Sequence, residues 1–228
     1  MTNKVLLGDC LELMKEIPDH TIDMILCDLP YGTTNCKWDT LIPFEPLWEQ
    51  YHRVIKANGA IVLTASQPFT SILVASNIKN FRYNWVWEKS KATGYLNSKR
   101  MPMRAHEDVC VFYRKPPLYN PQMWQSTPYN KGSAHRPTDV YGDQRAVLVK
   151  SDSGLRYPRS VQYFKTAESE GQTFHSTQKP ISLFEYLIRT YTNEGEVVLD
   201  SCVGAGTTAL AAIRSNRKYI CMENDEEY

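Results

Sequence analysis

Metal-ligand spacing is missing from this sequence. Its six cysteines (Cys10, Cys27, Cys36, Cys110, Cys202 and Cys221) form no CxxC pair, and no two of its five histidines stand at i, i+4, so no metal is expected. Long apolar runs are missing as well: nothing approaches the roughly 20 consecutive apolar residues of a membrane helix. Met1-Thr2-Asn3-Lys4-Val5 has neither the basic region nor the apolar run of a signal peptide. The expectation is a cytoplasmic protein with no membrane partner. Internal repeats are absent, and no Ser/His/Asp or Cys/His set points to a covalent nucleophile. Cys27, Cys110 and Cys221 fall in apolar runs, where a free thiol behaves as a small buried hydrophobe.

What is present is an uneven distribution of charge. The formal net charge of +1 conceals a segment, Lys79 to Lys165, with 16 Lys/Arg against 6 Asp/Glu, while the remainder holds 10 against 19. A basic middle between acidic ends suits a polyanionic partner. The plainer alternative is a solvated basic face. A chain of 228 residues accommodates one α/β core, alone or with a small inserted subdomain.

Hydrophobic patterning predicts alternating strands and helices. Lys4–Leu7 reads as a strand, and Leu11, Leu13, Met14 and Ile17 fit a short helix ended by Pro18. Ile22–Cys27 is a continuous apolar run, as in a strand buried on both faces of a parallel sheet. A helix is expected over Pro46–Ile55, stopped by Asn58-Gly59. A strand follows at Ala60–Ala65, then a helix over Pro68–Ser76 with proline at its start. Tyr83–Trp87 and Val109–Tyr113 are further strands. From about Lys115 to Gly171 the texture turns irregular, rich in Pro, Gly, Ser, Tyr and basic residues. Regular structure resumes at Pro180 with the helical stripe Leu183, Phe184, Leu187 and Ile188. A strand at Val197–Leu199, a helix from Ala209 and a strand at Tyr219–Met222 complete the chain. This order predicts a doubly wound, mostly parallel α/β sheet of Rossmann-like type.

Two segments carry chemistry. Asp200-Ser201-Cys202-Val203-Gly204-Ala205-Gly206-Thr207 joins a strand to a helix, and Glu223 ends the next strand, 19 residues after Gly204. A glycine turn there lets a ligand approach the backbone at a helix N-terminus, and an acidic residue at that spacing suits ribose hydroxyls. A Gly-x-Gly turn alone is equally a tight strand–helix connection, but the whole series favours an adenosine-type ligand. No lysine follows the glycines, so this is not a phosphate-binding P-loop.

The second segment, Asp28-Leu29-Pro30-Tyr31, ends the buried strand Ile22–Cys27, where open α/β sheets place their active sites. A carboxylate (Asp28) and a main-chain carbonyl (Leu29) can accept both hydrogens of an aromatic amino group, localising and aiming its lone pair. Pro30 stiffens the turn, and Tyr31 offers a ring face for stacking. As a lone tetrapeptide it reads equally well as an ordinary turn.

Together the two segments resemble the DNA amino-methyltransferases that modify adenine N6 or cytosine N4. That family carries a D/N/S-P-P-Y catalytic motif and an F-x-G-x-G cofactor motif; here they read Asp28-Leu29-Pro30-Tyr31 and Cys202-Val203-Gly204-Ala205-Gly206. The catalytic motif comes first, the order of the family's β group. Leu7-Gly8-Asp9-Cys10 resembles its opening segment. His175-Ser176-Thr177-Gln178-Lys179-Pro180 resembles another cofactor-contacting segment, and Arg104-Ala105-His106-Glu107 also fits. Leu29 replaces a proline and Cys202 an aromatic residue, and the sequence stops at Tyr228, where the family usually continues into another helix.

The resemblance implies a methyltransferase core over residues 1–114 and 172–228, its first part catalytic and its second binding cofactor, with a target-recognition region inserted at 115–171. It implies S-adenosyl-L-methionine as cofactor, held by Asp9, Asp28, Lys179, Asp200, Cys202, Gly204, Gly206, Thr207 and Glu223. Catalysis is expected from Asp28, Leu29, Pro30 and Tyr31. The implied reaction is direct in-line methylation of adenine N6, since Asp at the first motif position resembles the N6 members and Ser the N4 members. Cytosine N4, RNA and a protein side-chain amide are alternative targets, and a non-catalytic nucleic-acid-binding protein with a relict pocket is the alternative of another class. The partner is double-stranded DNA, with a homodimer an open expectation, in a bacterial or phage-infected cytoplasm. Base flipping is implied, with Lys89, Lys91, Lys99, Arg100 and Arg104 as phosphate contacts. Trp124, Tyr129 and Tyr141 are expected to stack or pack in the recognition region. Gly32–Asp39 is a candidate lid with Trp38 its contact or its anchor.

Overall fold

Each strand at the centre of the sheet is apolar at nearly every position because helices cover both faces. In β2 (Ile22–Cys27), Ile25 and Cys27 belong to one hydrophobic cluster and Met24 and Leu26 to another. Side chains alternate across a strand, so a doubly covered strand loses the polar half of its pattern. The computed structural model describes residues 2–34, 36, 39–134, 142, 147–173 and 177–226. Two compact units result, Met1–Asn120 with Ser160–Tyr228, and Pro121–Arg159.

The first stretch of the larger unit holds β1 (Lys4–Leu7), β2, β3 (Ile55–Ala65), β4 (Phe81–Thr93) and β5 (Arg104–Phe112). The smaller unit holds β6 (Trp124–Gln125), β7 (Tyr129–Ala134), β8 (Val147–Ser151) and β9 (Leu155–Arg156). The larger unit resumes with β10 (Val161–Phe164), β11 (Val197–Asp200) and β12 (Lys218–Glu223). Its helices are α1 (Cys10–Leu13), α2 (Phe44–Val54), α3 (Phe69–Ser76), α4 (Ala167–Glu170), α5 (Ile181–Tyr191) and α6 (Thr207–Arg214).

The larger unit is built on one eight-stranded sheet, ordered β1-β12-β11-β2-β3-β5-β4-β10. All neighbours are parallel except β5, which runs against both β3 and β4. Residues of α1, α2 and α3 cover one face, and residues of α5 and α6 the other. This is the doubly wound, mostly parallel α/β sheet expected. From β2 the chain proceeds toward β3, and from β11 toward β12, so the winding reverses between β2 and β11. Ligands of open α/β sheets bind at such a reversal.

Local readings shift in three places. Helix α2 ends at Val54 and β3 begins at once, so Asn58-Gly59 lies inside a strand and stops no helix. Ile22 pairs with Ile55 and Met24 with Ala60, which leaves residues 56–59 as a bulge. A Cβ on Gly59 would stand 2.7 Å from the Asp23 carbonyl oxygen; the glycine serves this close approach. Strands β4 and β5 extend well beyond Tyr83–Trp87 and Val109–Tyr113, to Thr93 and from Arg104. Finally, residues 115–120 and 160–171, read as part of the irregular insert, group with the larger unit. The reasons are local: β10 pairs with β4, and the Glu170 carboxylate accepts from the Ile181 N–H at 2.8 Å at the start of α5.

Among its described residues the smaller unit has two antiparallel ribbons, β6 with β9 and β7 with β8. The Arg156 guanidinium lies 4.1 Å from the centroid of the Tyr129 ring, so Tyr129 packs, whereas Trp124 is exposed. No helix among the described residues is long and apolar enough to cross a membrane.

Candidate active site

The carboxyl ends of β1, β2, β3, β11 and β12 open on a cleft of about 1330 Å³. Because β5 is antiparallel, its first residues reach the same edge, and Arg104 and Glu107 join the lining.

Asp28 stands immediately after β2, at the winding reversal. Its Oδ1 accepts from the Thr64 hydroxyl and, at 2.9 Å, from the Tyr31 hydroxyl. Its Oδ2 accepts from the Lys179 ammonium at 2.5 Å. A carboxylate offers about four acceptor positions, so one remains, on Oδ2. Leu29 is buried with the cluster beneath α1, α2 and α3, which accounts for an apolar residue where proline is usual. The Tyr31 ring stacks on Phe69 at 4.8 Å with an interplanar angle of 20°. One face of Tyr31 is therefore taken, and the Lys179 ammonium lies 5.5 Å from the ring centroid. Burial, with the charges of Asp28 and Glu107, holds the Tyr31 phenol far above its ordinary pKa, so it remains a donor.

Lys179 is only 7% exposed and lies between two carboxylates, Asp28 and Glu107, the latter at 3.6 Å. Burial disfavours its charge, but the two carboxylates outweigh burial and raise its pKa. Glu107 also takes the ammonium of Lys89, whose side chain is 9% exposed and lies 5.3 Å from the Trp87 ring centroid. Lys89 stands two residues beyond Trp87 and four beyond Trp85, both buried, so the alternation of β4 turns it inward with them; its charge is engaged at the cleft, not offered to an outer phosphate as the basic segment suggested. Lys91, Lys99, Arg100 and Arg104 are exposed, with Lys91 3.9 Å from Glu168.

On the other side of the reversal, the turn after β11 is organised from within. Asp200 is 2% exposed; its carboxylate accepts from the Thr208 hydroxyl and, at 3.0 Å, from the Cys202 N–H. Burial pushes its pKa up to about 6 against those donors. Asp200 thus braces the turn that carries Gly204 and Gly206, both in the left-handed region at φ +51° and +80°. Thr207 is buried and its hydroxyl donates to the Lys179 carbonyl at 3.4 Å, tying α6 to the Lys179 segment. Cys202 packs against the core, with its thiol 3.9 Å from the Ser201 hydroxyl, which also meets the Cys27 thiol at 3.3 Å.

At the end of β12, Glu223 Oε2 accepts from the Gly204 N–H at 2.8 Å, and Oε1 accepts from the Asn224 and Asp225 N–H groups. Asp9 caps α1 through the Leu11 N–H at 2.8 Å and lines the cleft.

Four residues of this arrangement carried no assigned role in the sequence. Thr64 is the polar interruption of a buried strand, a signal that could have marked it. Glu107 is an acidic residue in a basic segment. Phe69 supports Tyr31 from the first turn of α3. Asp39, 8% exposed, accepts from the Gly32, Thr33 and Thr34 N–H groups at 2.7–2.9 Å. Burial opposes its charge, yet these donors hold its pKa below the ordinary value. The described part of the Gly32–Asp39 segment is thus anchored by Asp39. Trp38, Tyr141, His175, Ser176 and Tyr228 lie outside the described residues.

Comparison with known proteins places this geometry in context. The DNA methylase family of N6 and N4 methyltransferases matches residues 22–228. Type II methyltransferase M.HpaI of Haemophilus parainfluenzae is 24% identical over all of this chain and 72% of its own length. The M1.HpyAVI–SAM complex aligns with a TM-score of 0.67 at 23% identity, covering 99% of this chain and 94% of that one. PvuII DNA methyltransferase, described as cytosine-N4-specific, aligns with a TM-score of 0.71 at 19% identity, covering all of this chain and 84% of that one.

Proposed function

The chain belongs to the DNA methylase family of N6 and N4 methyltransferases, and we propose that it transfers a methyl group from S-adenosylmethionine to the N6 amino group of adenine in double-stranded DNA. The observation that carries this reading is Asp28, held at the winding reversal with one acceptor position left on Oδ2. That position accepts one hydrogen of the amino group, and the Leu29 carbonyl accepts the other. Aspartate at this position resembles the family's N6 members, and on this the choice of adenine over cytosine rests.

The residues of the cleft fit the cofactor. Glu223 Oε2 carries a single main-chain donor and can accept a ribose hydroxyl. Gly204 and Gly206 let the ligand approach the backbone, and Asp9 adds a carboxylate. S-adenosylmethionine supplies an electrophilic methyl group on a sulfonium whose charge disappears during transfer. The protein has mainly to align donor and acceptor. Asp28 and Leu29 aim the amino nitrogen, Tyr31 braces the base beside them, and Lys179 with Glu107 fixes the carboxylate. Asp200 acts on the cofactor indirectly, through the turn it braces.

A paired base cannot reach this cleft, so the target rotates out of the duplex at a cost of a few kcal/mol. Lys91, Lys99, Arg100 and Arg104 contact phosphates, and residues 121–159 read the target sequence.

The test is to incubate the protein with labelled S-adenosylmethionine and plasmid DNA, then digest to nucleosides. N6-methyladenine is expected; N4-methylcytosine overturns the choice of base, and label in RNA or protein alone overturns the substrate class. Asp28→Ala is expected to abolish transfer while cofactor binding survives. DNA binding with no labelling by the unaltered protein favours a non-catalytic regulator instead.

A further inference from the structure

The connection between β4 and β5 puts four apolar side chains into solvent: Tyr95 is 75% exposed, Leu96 98%, Met101 57% and Met103 38%. Such residues clustered on one short segment mark a surface awaiting a partner. The segment is ordered. Gly94 turns at φ +92°, residues 95–97 form a single 3₁₀ turn, and the Asn97 carbonyl accepts from the Arg100 and Met101 N–H groups at 2.8 and 3.0 Å. Its root is the pair Thr93–Arg104, and both residues line the cleft. The tip therefore rises directly from the rim of the site.

Charge identifies the partner. Lys91, Lys99, Arg100 and Arg104 flank the apolar residues, and there is no acidic residue from Lys89 to His106. A second copy docked tip to tip across a two-fold axis would set these like charges against one another. A nucleic acid satisfies both features at once, with phosphates for the cations and base faces for the apolar side chains.

We propose that this tip is a DNA wedge. Leu96 and Tyr95 enter the base stack beside the target nucleotide and occupy the gap it leaves, while Lys99, Arg100 and Arg104 hold the flanking phosphates. Apolar side chains inserted between base steps are an established means of unstacking a duplex. The inference rests on the methyltransferase reading above and adds the element that opens the helix.

The test compares the unaltered protein with a Tyr95→Ala/Leu96→Ala variant on two oligonucleotide duplexes. Both contain the site mapped from methylated plasmid; one has an abasic position opposite the target base, so the target is already unpaired. On the intact duplex kcat/KM is expected to fall about tenfold or more, and on the abasic duplex the two proteins should agree within about threefold. Calorimetric S-adenosylmethionine binding and the melting temperature should be unchanged. Equal losses on both duplexes, or no loss on either, overturn the wedge, as does a variant that converts a sedimenting dimer to monomer. If the unaltered protein methylates no DNA, the methyltransferase reading falls and the wedge falls with it.

Discussion

Lys179 carries its charge where burial disfavours it, and the carboxylates of Asp28 and Glu107 make that possible. Glu107→Gln removes one of the two. The Lys179 pKa then falls, so the alkaline limb of the pH–rate profile should move to lower pH, with kcat reduced roughly tenfold as Asp28 loses its fixed partner geometry. An unchanged alkaline limb would show that Asp28 alone holds the ammonium. Asp200 presents the opposite case. Its folded-state pKa is about 6, raised from 3.8 mainly by burial. The native state binds the proton more tightly than the unfolded chain. The associated stability is present below about pH 4 and is lost as pH rises through about 6, an effect on the order of 3 kcal/mol. Asp200→Asn should flatten that part of the stability profile, read as melting temperature against pH; an equally steep fall in the variant would place its source elsewhere.

Among the elements, α5 shows how a helix can borrow its cap. Its own N-cap is Pro180, which offers no side-chain acceptor. Glu170, from the end of α4, accepts instead from the Ile181 and Ser182 N–H groups at 2.8 and 3.3 Å. Glu170→Ala should cost about 1 kcal/mol in chemical denaturation. Since α5 follows Lys179 directly, fraying there should also weaken cofactor binding. A loss of stability below about 0.3 kcal/mol would mean that water caps the helix equally well. The same element scale explains Lys89. Its place in a basic stretch suggested a phosphate contact, but it shares the inward face of β4 with Trp85 and Trp87, and its ammonium meets Glu107 at the cleft. Charge composition reports how many cations a segment holds and is blind to which face of a strand each occupies.

At the scale of the whole molecule, the near-neutral total of +1 says little, and the basic excess between Lys79 and Lys165 says more. Exposed cations from that segment stand at the cleft rim on the β4–β5 connection. Each true phosphate contact releases counterions, so Lys99→Ala/Arg100→Ala should reduce the slope of log Kd against log salt by about two on duplex DNA. Anisotropy titrations across a salt series provide the measurement, and an unaltered slope would remove both residues from the interface. Cofactor affinity should not change, because neither residue lines the cleft.

The alternating strands and helices, the buried β2 run, the carboxylate at its end and the glycine turn were written in short runs of residues, and Glu223 in its spacing from that turn. They are local: periodicity reports which faces are covered, and a strand followed by Asp or Gly–x–Gly reports where a connection must turn. The sequence by itself therefore determined the doubly wound fold and the two chemical segments. It did not determine what surrounds Asp28. Thr64 and Lys179 stand 36 and 151 residues from it, and Glu107 reaches the same edge only because β5 runs against its neighbours. Those partners are chosen by strand order and direction, which depend on how helices cover the sheet as a whole. Only the tertiary structure could turn a lone aspartate into a carboxylate with three of its acceptor positions filled and one left open.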